Sequence, residues 1–297
     1  MIIVKLCGGI GNQMFQYAAA RRLAYVNNVP LKLDLGWFGK NRALTERDKR
    51  NYNLDCFMLS VEIAEDDEVS GLISHLNNPL SRRLPYFLKK YISHFNKTHI
   101  VEKAYNFDPE ILMLKDNVYL DGYWQSDKYF NDAEDIIRFD FTFCDEPEGQ
   151  NLRYAELIRN LNSVSLHVRR GDYVTSAKTG AFHGLCSLDY YKQAVNEIFR
   201  QTDKPVFFMF SDDMEWVKTN LKIDADIYYV DCNTLDTCHE DLRLMSLCKH
   251  HIIANSSFSW WGAWLSSYTD KIVCAPEKWF NASVDTRDNV PGSWTRL

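Results

Sequence analysis

The chain has 297 residues, 46% hydrophobic and 25% charged, with a formal net charge of -6, a profile of a soluble globular protein long enough for two domains. The negative balance excludes the basic footprint that nucleic-acid binding leaves, so any anion site must be local. No stretch approaches the ~20 apolar residues of a membrane span, and Met1 to Cys7 is too short for a signal peptide, so a cytoplasmic protein is expected.

Ile2 to Leu6 predicts a strand, followed by Cys7-Gly8-Gly9-Ile10-Gly11-Asn12-Gln13 and a helical run from Met14 to about Val26. This is the opening of a Rossmann-like unit. Met14 stands where the dinucleotide fingerprint needs its third glycine, although Asp34, ending the strand from Leu31, is the acid such a site would use. The glycines permit close approach of a ligand, and Asn12 and Gln13 bring neutral hydrogen-bonding groups to a helix N-terminus. A capped tight turn explains the same residues. Residues 36 to 115 are irregular: Trp37 to Asn53 is charged and loop-like, Val61 to Leu76 can be helical, and Leu84 to Phe95 is basic and aromatic. That length suits a substrate-shaping insertion. Arg82 to Lys90 mixes bases with aromatics and could touch a membrane surface as a peripheral contact, but a solvated helix flank is the favoured account, since one such patch is weak evidence. Asn117 to Ser126 reads as a strand running into a polar, aromatic loop, where Tyr123 and Trp124 could stack on a sugar or belong to the core.

Asp140 to Gln150, containing Glu146-Pro147-Glu148-Gly149, is the expected boundary, giving domains 1–147 and 148–297. Beyond it α/β alternation restarts. A helix from Arg153 to Leu161 precedes a strand from Ser163 to Val168 that ends in His167, Arg169, Arg170, Gly171 and Asp172. A helix from Leu188 to Arg200 leads to a strand from Pro205 to Phe210 that ends in Ser211, Asp212 and Asp213. Met214 to Leu221 is helical, Ile227 to Val230 a strand and Asp241 to Lys249 a helix. The strand from His251 to Ala254 ends in Asn255, Ser256, Ser257, Phe258 and Ser259 and opens a helix to Leu265, and Ile272 to Ala275 is the last strand. In a parallel sheet these polar ends share one edge, where open α/β folds bind ligands.

Adjacent guanidinium forks suit a diphosphate, carboxylates suit ribose hydroxyls or a base edge, and a Ser-rich helix N-terminus attracts phosphate. A nucleotide-sugar site is the reading that uses all three; a surface turn with internal ion pairs would explain the arginines alone. No P-loop is present. Asp224-Ala225-Asp226 precedes a strand, at the wrong end for metal-held diphosphate, and the Cys232, Cys238, His239, Cys248, His250 and His251 group has no usual zinc spacing. No metal is therefore expected.

Cys7 to Tyr17, His167 to Tyr173 and Ser256 to Trp261 resemble, in order and spacing, the bacterial-type α-1,2-fucosyltransferases, which are related to the α-1,6- and protein O-fucosyltransferases. The resemblance implies an α/β fold of glycosyltransferase-B type, two Rossmann-like domains facing across a cleft, with 1–147 on the acceptor side and 148–297 binding GDP-fucose. It implies transfer of L-fucose from GDP-β-L-fucose to the 2-hydroxyl of a terminal galactose, with inversion, no metal and no cofactor. Arg169 would hold the donor diphosphate with Arg170 in support, His167 would lie near guanine or ribose, and Asp212 or Asp213 would read guanine. Ser256 to Ser259 would line the diphosphate, with Asn255 beside them on the donor side. The Gly8 to Gln13 loop, including Gly9, Gly11, Asn12 and Gln13, would face fucose and acceptor, the side to which Trp124 is also assigned. Asp172 is the candidate base, though two adjacent arginines would make it a weak one. Another GDP-fucose-dependent fucosyltransferase, a nucleotide-dependent oxidoreductase and a non-catalytic sugar-binding protein are the alternatives.

Overall fold

The computed structural model describes residues 1–40, 51–73 and 98–297; the basic, aromatic stretch at 82–90 lies outside them. Contacts divide the chain into two compact units, Met1–Thr142 and Phe143–Leu297.

The first unit contains, in chain order, β1 (Ile2–Lys5), α1 (Ile10–Asn27), β2 (Leu31–Asp34), α2 (Gly36–Lys40), β3 (Glu62–Ile63), α3 (Asp66–Ile73), β4 (His99–Val101), β5 (Val118–Asp121) and α4 (Glu134–Asp140). Its five strands are parallel in the order β3-β2-β1-β5-β4. Ile2, Ile3 and Val4 are all buried, the continuous apolar run of a central strand covered on both faces. The helix α1 is buried along most of its length, with Met14, Phe15, Ala18, Ala19 and Leu23 in the core, so it packs as an interior helix and not as an amphipathic one. It ends at Asn28 with φ 52°, a left-handed cap. Tyr17 and Arg21 both donate to Asp140 Oδ2, at 2.7 and 2.8 Å, fastening α1 to α4.

Part of the stretch expected to be an irregular insertion instead supplies both edges of this sheet. β3 and β4 have two and three residues, too few to show a period of two in the sequence. The chain moves outward from β1 to β3, then returns on the other side through β4 and β5. The switch in direction lies between β1 and β5.

The second unit contains α5 (Gly149–Asn160), β6 (Ser163–Val168), α6 (Gly171–Thr175), α7 (Ala177–His183), α8 (Leu188–Gln201), β7 (Val206–Ser211), α9 (Met214–Asn220), β8 (Ile227–Tyr229), α10 (Cys238–Leu247), β9 (His250–Ile252), α11 (Ser257–Leu265), β10 (Val273–Ala275) and β11 (Thr295–Arg296). The sheet is parallel throughout, in the order β11-β10-β9-β6-β7-β8. This is the doubly wound order of nucleotide-binding sheets, with its switch point between β6 and β9. The expectation that β10 is the last strand is corrected: Thr295 and Arg296 add one more, too short and polar to signal itself.

Alternate residues of β6 and β7 enter opposite cores. Val164, Leu166, Phe207 and Met209 pack with Tyr190, Tyr191 and Ile198 of α8, whereas Phe208 and Phe210 pack with Ala155 and Ile158 of α5 and Leu244 and Met245 of α10. Each fully buried side chain of this size contributes about 1.5–3 kcal/mol. The polar residues after these strands are thus carried by a rigid base.

Candidate functional site

In the second unit the register pairs His167 with Phe210 and Val168 with Ser211. The next residues, Arg169 and Asp212, therefore leave the sheet side by side. Arg169 Nη1 lies 2.9 Å from Asp212 Oδ2, and the two side chains keep 21% and 20% exposure. The guanidinium carbon of Arg169 stands 5.5 Å from the ring centre of Tyr173. Arg170 makes the neighbouring pair: its Nε donates to Asp213 Oδ2 at 3.0 Å, its backbone N–H donates to Asp212 Oδ1 at 2.8 Å, and its guanidinium lies 4.0 Å above Trp216. A cation on an indole face in this semi-buried setting is worth about 0.5–2 kcal/mol. Asp213 also caps α9 by accepting from the Trp216 N–H.

Gly171 is dictated by this arrangement, since a Cβ there would sit 2.5 Å from Asp212 Oδ2. Any larger residue would displace the carboxylate that holds both arginines. Asp212 or Asp213 is expected to read guanine; in this structure each is ion-paired with an arginine and fixes the direction of its guanidinium. The backbone of Asp172 lies in α6, and its side chain is outside the described structure.

His167 is buried against Phe258, with ring centres 5.7 Å apart. Burial pushes its pKa down to about 4, with Asp212 opposing and Arg169 adding to the shift, so the ring is neutral at physiological pH. A neutral imidazole hydrogen-bonds without adding charge to the arginine pair.

Across the switch point, β9 continues into Asn255 and α11. Asn255 was expected to line a ligand, but its Nδ2 donates to the carbonyls of His183, Gly184 and Trp279 at 2.9, 3.3 and 3.2 Å. Its side chain ties loops together and is removed from the contact set. Ser256 caps α11, accepting from the Phe258 N–H at 3.4 Å. Ser257 and Phe258 are partly exposed at the helix mouth, whereas Ser259 is buried and donates to Ser256 O. The positive end of α11 and the arginines thus stand at adjacent strand ends. Tyr173, stacked on His183 at 4.7 Å, closes the His167 to Tyr173 motif but was given no role there, and Trp216 was missed because nothing in the local pattern distinguishes it from core aromatics.

In the first unit the glycine-rich stretch enters α1 at Ile10, with Gly9 as the N-cap. Gly11 is buried. Gln13, expected to face acceptor, is 0% exposed. Its Nε2 donates to Gly8 O and Asn51 O at 3.0 and 2.9 Å, and its Oε1 accepts from the Asn53 N–H. It is an internal clamp. Asn12 is partly exposed and accepts from Gln125 Nε2 at 2.8 Å. Trp124 is 1% exposed and packs on Tyr129 at 5.7 Å, so it belongs to the core and offers no face to a sugar. Its neighbour Tyr123, at 38% exposure, is the outward aromatic. At the same edge Lys5 Nζ donates to Asp121 Oδ1 at 3.0 Å, and Tyr119 OH donates to Asp34 Oδ2 at 2.6 Å. With Tyr119 occupying it, Asp34 loses its place as a ribose-binding acid.

Among the described residues no helix is long and apolar enough to cross a membrane. The model of glycosyl transferase family 11 matches residues 85–297. The chain is 35% identical to an α-1,2-colitosyltransferase of Escherichia coli over 100% of its own length and 99% of the relative's. It is likewise 35% identical to the O-antigen biosynthesis glycosyltransferase WbnK of Escherichia coli, over 98% and 99%. A galactoside α-(1,2)-fucosyltransferase 2 of Hylobates lar is 22% identical over 90% of this chain and 69% of that one. Among solved structures, the α-1,6-fucosyltransferase NodZ aligns with a TM-score of 0.51 at 13% identity, over 89% of this chain and 92% of NodZ. That likeness is one of fold, of the glycosyltransferase-B type. The chain belongs to glycosyl transferase family 11, and it is a glycosyltransferase related to the α-1,2-fucosyltransferases.

Proposed function

We propose that the protein transfers L-fucose from GDP-β-L-fucose to the 2-hydroxyl of a terminal galactose, with inversion and without a metal. The observation that carries this reading is the pair of aimed arginines at the switch point of the second sheet, next to the N-terminus of α11. In this proposal Arg169 and Arg170 hold the diphosphate, Ser256, Ser257 and Phe258 line it, and the neutral His167 supports the nucleotide from beneath. The acceptor oxygen attacks the anomeric carbon from the face opposite GDP. The bond from that carbon to the β-phosphate oxygen breaks, and GDP leaves with the electron pair. Negative charge grows on the diphosphate as the bond opens, so guanidiniums already fixed in place gain interaction in the transition state. The acceptor proton passes to the departing phosphate or to a carboxylate, and a pH–rate profile of Asp172→Asn separates these: unchanged turnover dismisses Asp172.

A second reading takes the same reaction with a colitosyl donor, favoured by 35% identity to an α-1,2-colitosyltransferase over the whole chain. Colitose is fucose without its 3-hydroxyl, so arginines on the diphosphate serve both donors alike. The test is a transfer assay with GDP-fucose and GDP-colitose in parallel, on lactose and N-acetyllactosamine, with EDTA present and the product linkage read by NMR. An α-1,2-fucosylated product with GDP-fucose preferred supports the first reading. Preference for GDP-colitose selects the second, and no transfer from either donor overturns both.

A further inference from the structure

The first unit's sheet ends in a device that the glycine stretch alone does not reveal. Glu102 follows β4, and its carboxylate reaches across to the turn after β5. Oε2 accepts from the Tyr123 N–H at 2.7 Å and Oε1 from the Trp124 N–H at 2.9 Å. The turn is tight: Trp124 has φ 54°, a conformation that an L residue holds only when its surroundings fix it. Gly122 has no room for a Cβ, which would collide with Glu102 and Trp124. From this turn two hydrogen bonds run to the glycine-rich stretch. Gln125 Nε2 donates to Asn12 Oδ1 at 2.8 Å, and Gln16 Nε2 donates to Gly122 O at 3.1 Å while its Oε1 accepts from the Cys7 N–H at 2.9 Å. All of this lies at the β1/β5 switch point, where an open α/β sheet takes its ligand.

We propose that Glu102 is a positioning residue for acceptor recognition, its carboxylate clamping the Gly122–Trp124 turn that presents Tyr123 outward and sets Asn12 through Gln125. The inference rests on the transferase reading for the word acceptor, while the clamp stands on geometry alone. Clamping two backbone donors with one carboxylate requires the ionised form, since a protonated carboxyl keeps only one good acceptor oxygen. The groups facing it do not help ionisation. Asp121 on β5 repels it, Tyr105 and Tyr123 are neutral, and Lys5 and His99 are engaged with Asp121. Burial accordingly pushes Glu102 up to about 6 against the pull of its two N–H partners. The clamp is held above pH 6 and loosens below it.

The experiment compares the wild type with Glu102→Gln, which keeps shape but leaves one acceptor for two donors. Hydrogen–deuterium exchange at pH 7.5, corrected for intrinsic rates, is expected to rise at residues 122–126 and 7–16 of the variant and nowhere in the second unit. In the transfer assay on lactose, its acceptor KM rises about tenfold, the loss of one charge-assisted hydrogen bond, while the KM for GDP-fucose changes less than twofold. Unchanged exchange in the turn overturns the clamp whether or not transfer is seen. Equal changes in both KM values, or none, overturn the acceptor role. Failure of the wild type to transfer from either donor is failure of the transferase reading, and exchange then decides the clamp. If Glu102→Gln does not fold, the wild type answers: its acceptor KM rises as pH falls through about 6, and a flat acceptor KM from pH 7.5 to 5 refutes the proposal.

Discussion

The strand ends of the two sheets present opposite chemistries on similar scaffolds. In the second unit, β6 and β7 end in guanidiniums steadied by carboxylates and an indole, Arg169 on Asp212 and Arg170 between Asp213 and Trp216. In the first, amides bridge the loops at the corresponding edge, Gln13, Gln16 and Gln125 among them, while its carboxylates Asp34, Glu102 and Asp121 are already taken up by Tyr119, two backbone N–H groups and Lys5. An ion-paired edge can exchange a carboxylate for a phosphate without losing its charge partner, which suits a ligand that is itself an anion. An amide lattice gives direction without net charge, which suits polyhydroxyl groups. The same parallel, doubly wound scaffold thus carries two different chemistries, set by what it places after its strands.

The contrast breaks most sharply at Trp124. As a core residue, Trp124→Ala is expected to lower stability by about 3–5 kcal/mol, seen as a large fall in urea midpoint; a folded variant defective only in acceptor binding would return Trp124 to the site. Next in size is an acid limb in the second unit. His167 is depressed to about 4 and His251 well below 6.5, both by burial, so the unfolded state binds protons that the native state refuses. Stability is complete above pH 6.5 and falls as pH drops toward 4, by up to about 3 kcal/mol from His167 alone. Melting curves of the wild type and His167→Asn check this, and an equally steep limb in the variant would exclude His167. Trp216→Ala, removing the face beneath Arg170, should weaken GDP binding up to about tenfold, without altering the acceptor KM. Tyr123→Ala should move stability by less than about 0.5 kcal/mol while raising the acceptor KM, and a wild-type acceptor KM would place the acceptor elsewhere.

The arginine-bearing edge of the second unit was legible because its signal is local: an alternating apolar strand from Ser163 to Val168 stops at two arginines and a glycine. The observed strand has those bounds, and Asp212 was already at the end of a second recognised strand. What could not be read was that Asp212 answers Arg169, because β6 and β7 pair in parallel across some forty residues and only the register brings the two together. The strand ends of the first unit were less legible for the same reason, magnified. Tyr123 and Trp124 are chemically alike and adjacent, and only the left-handed turn at Trp124 sends one inward and the other out. Glu102 lies in a stretch whose strands were too short to detect, and Asn255 and Gln13 looked like ligand donors until their backbone partners were in place.

Whether Arg169 forms the proposed diphosphate clamp is decided by calorimetric titration of GDP into the wild type and Arg169→Ala, each with EDTA. GDP binding should survive EDTA in the wild type and fall by on the order of 10²-fold in a variant with an unchanged melting curve, in line with the roughly 10²–10³ typical of losing one such donor in turnover. Equal GDP affinity in the two proteins, or no GDP binding by the wild type, would contradict it.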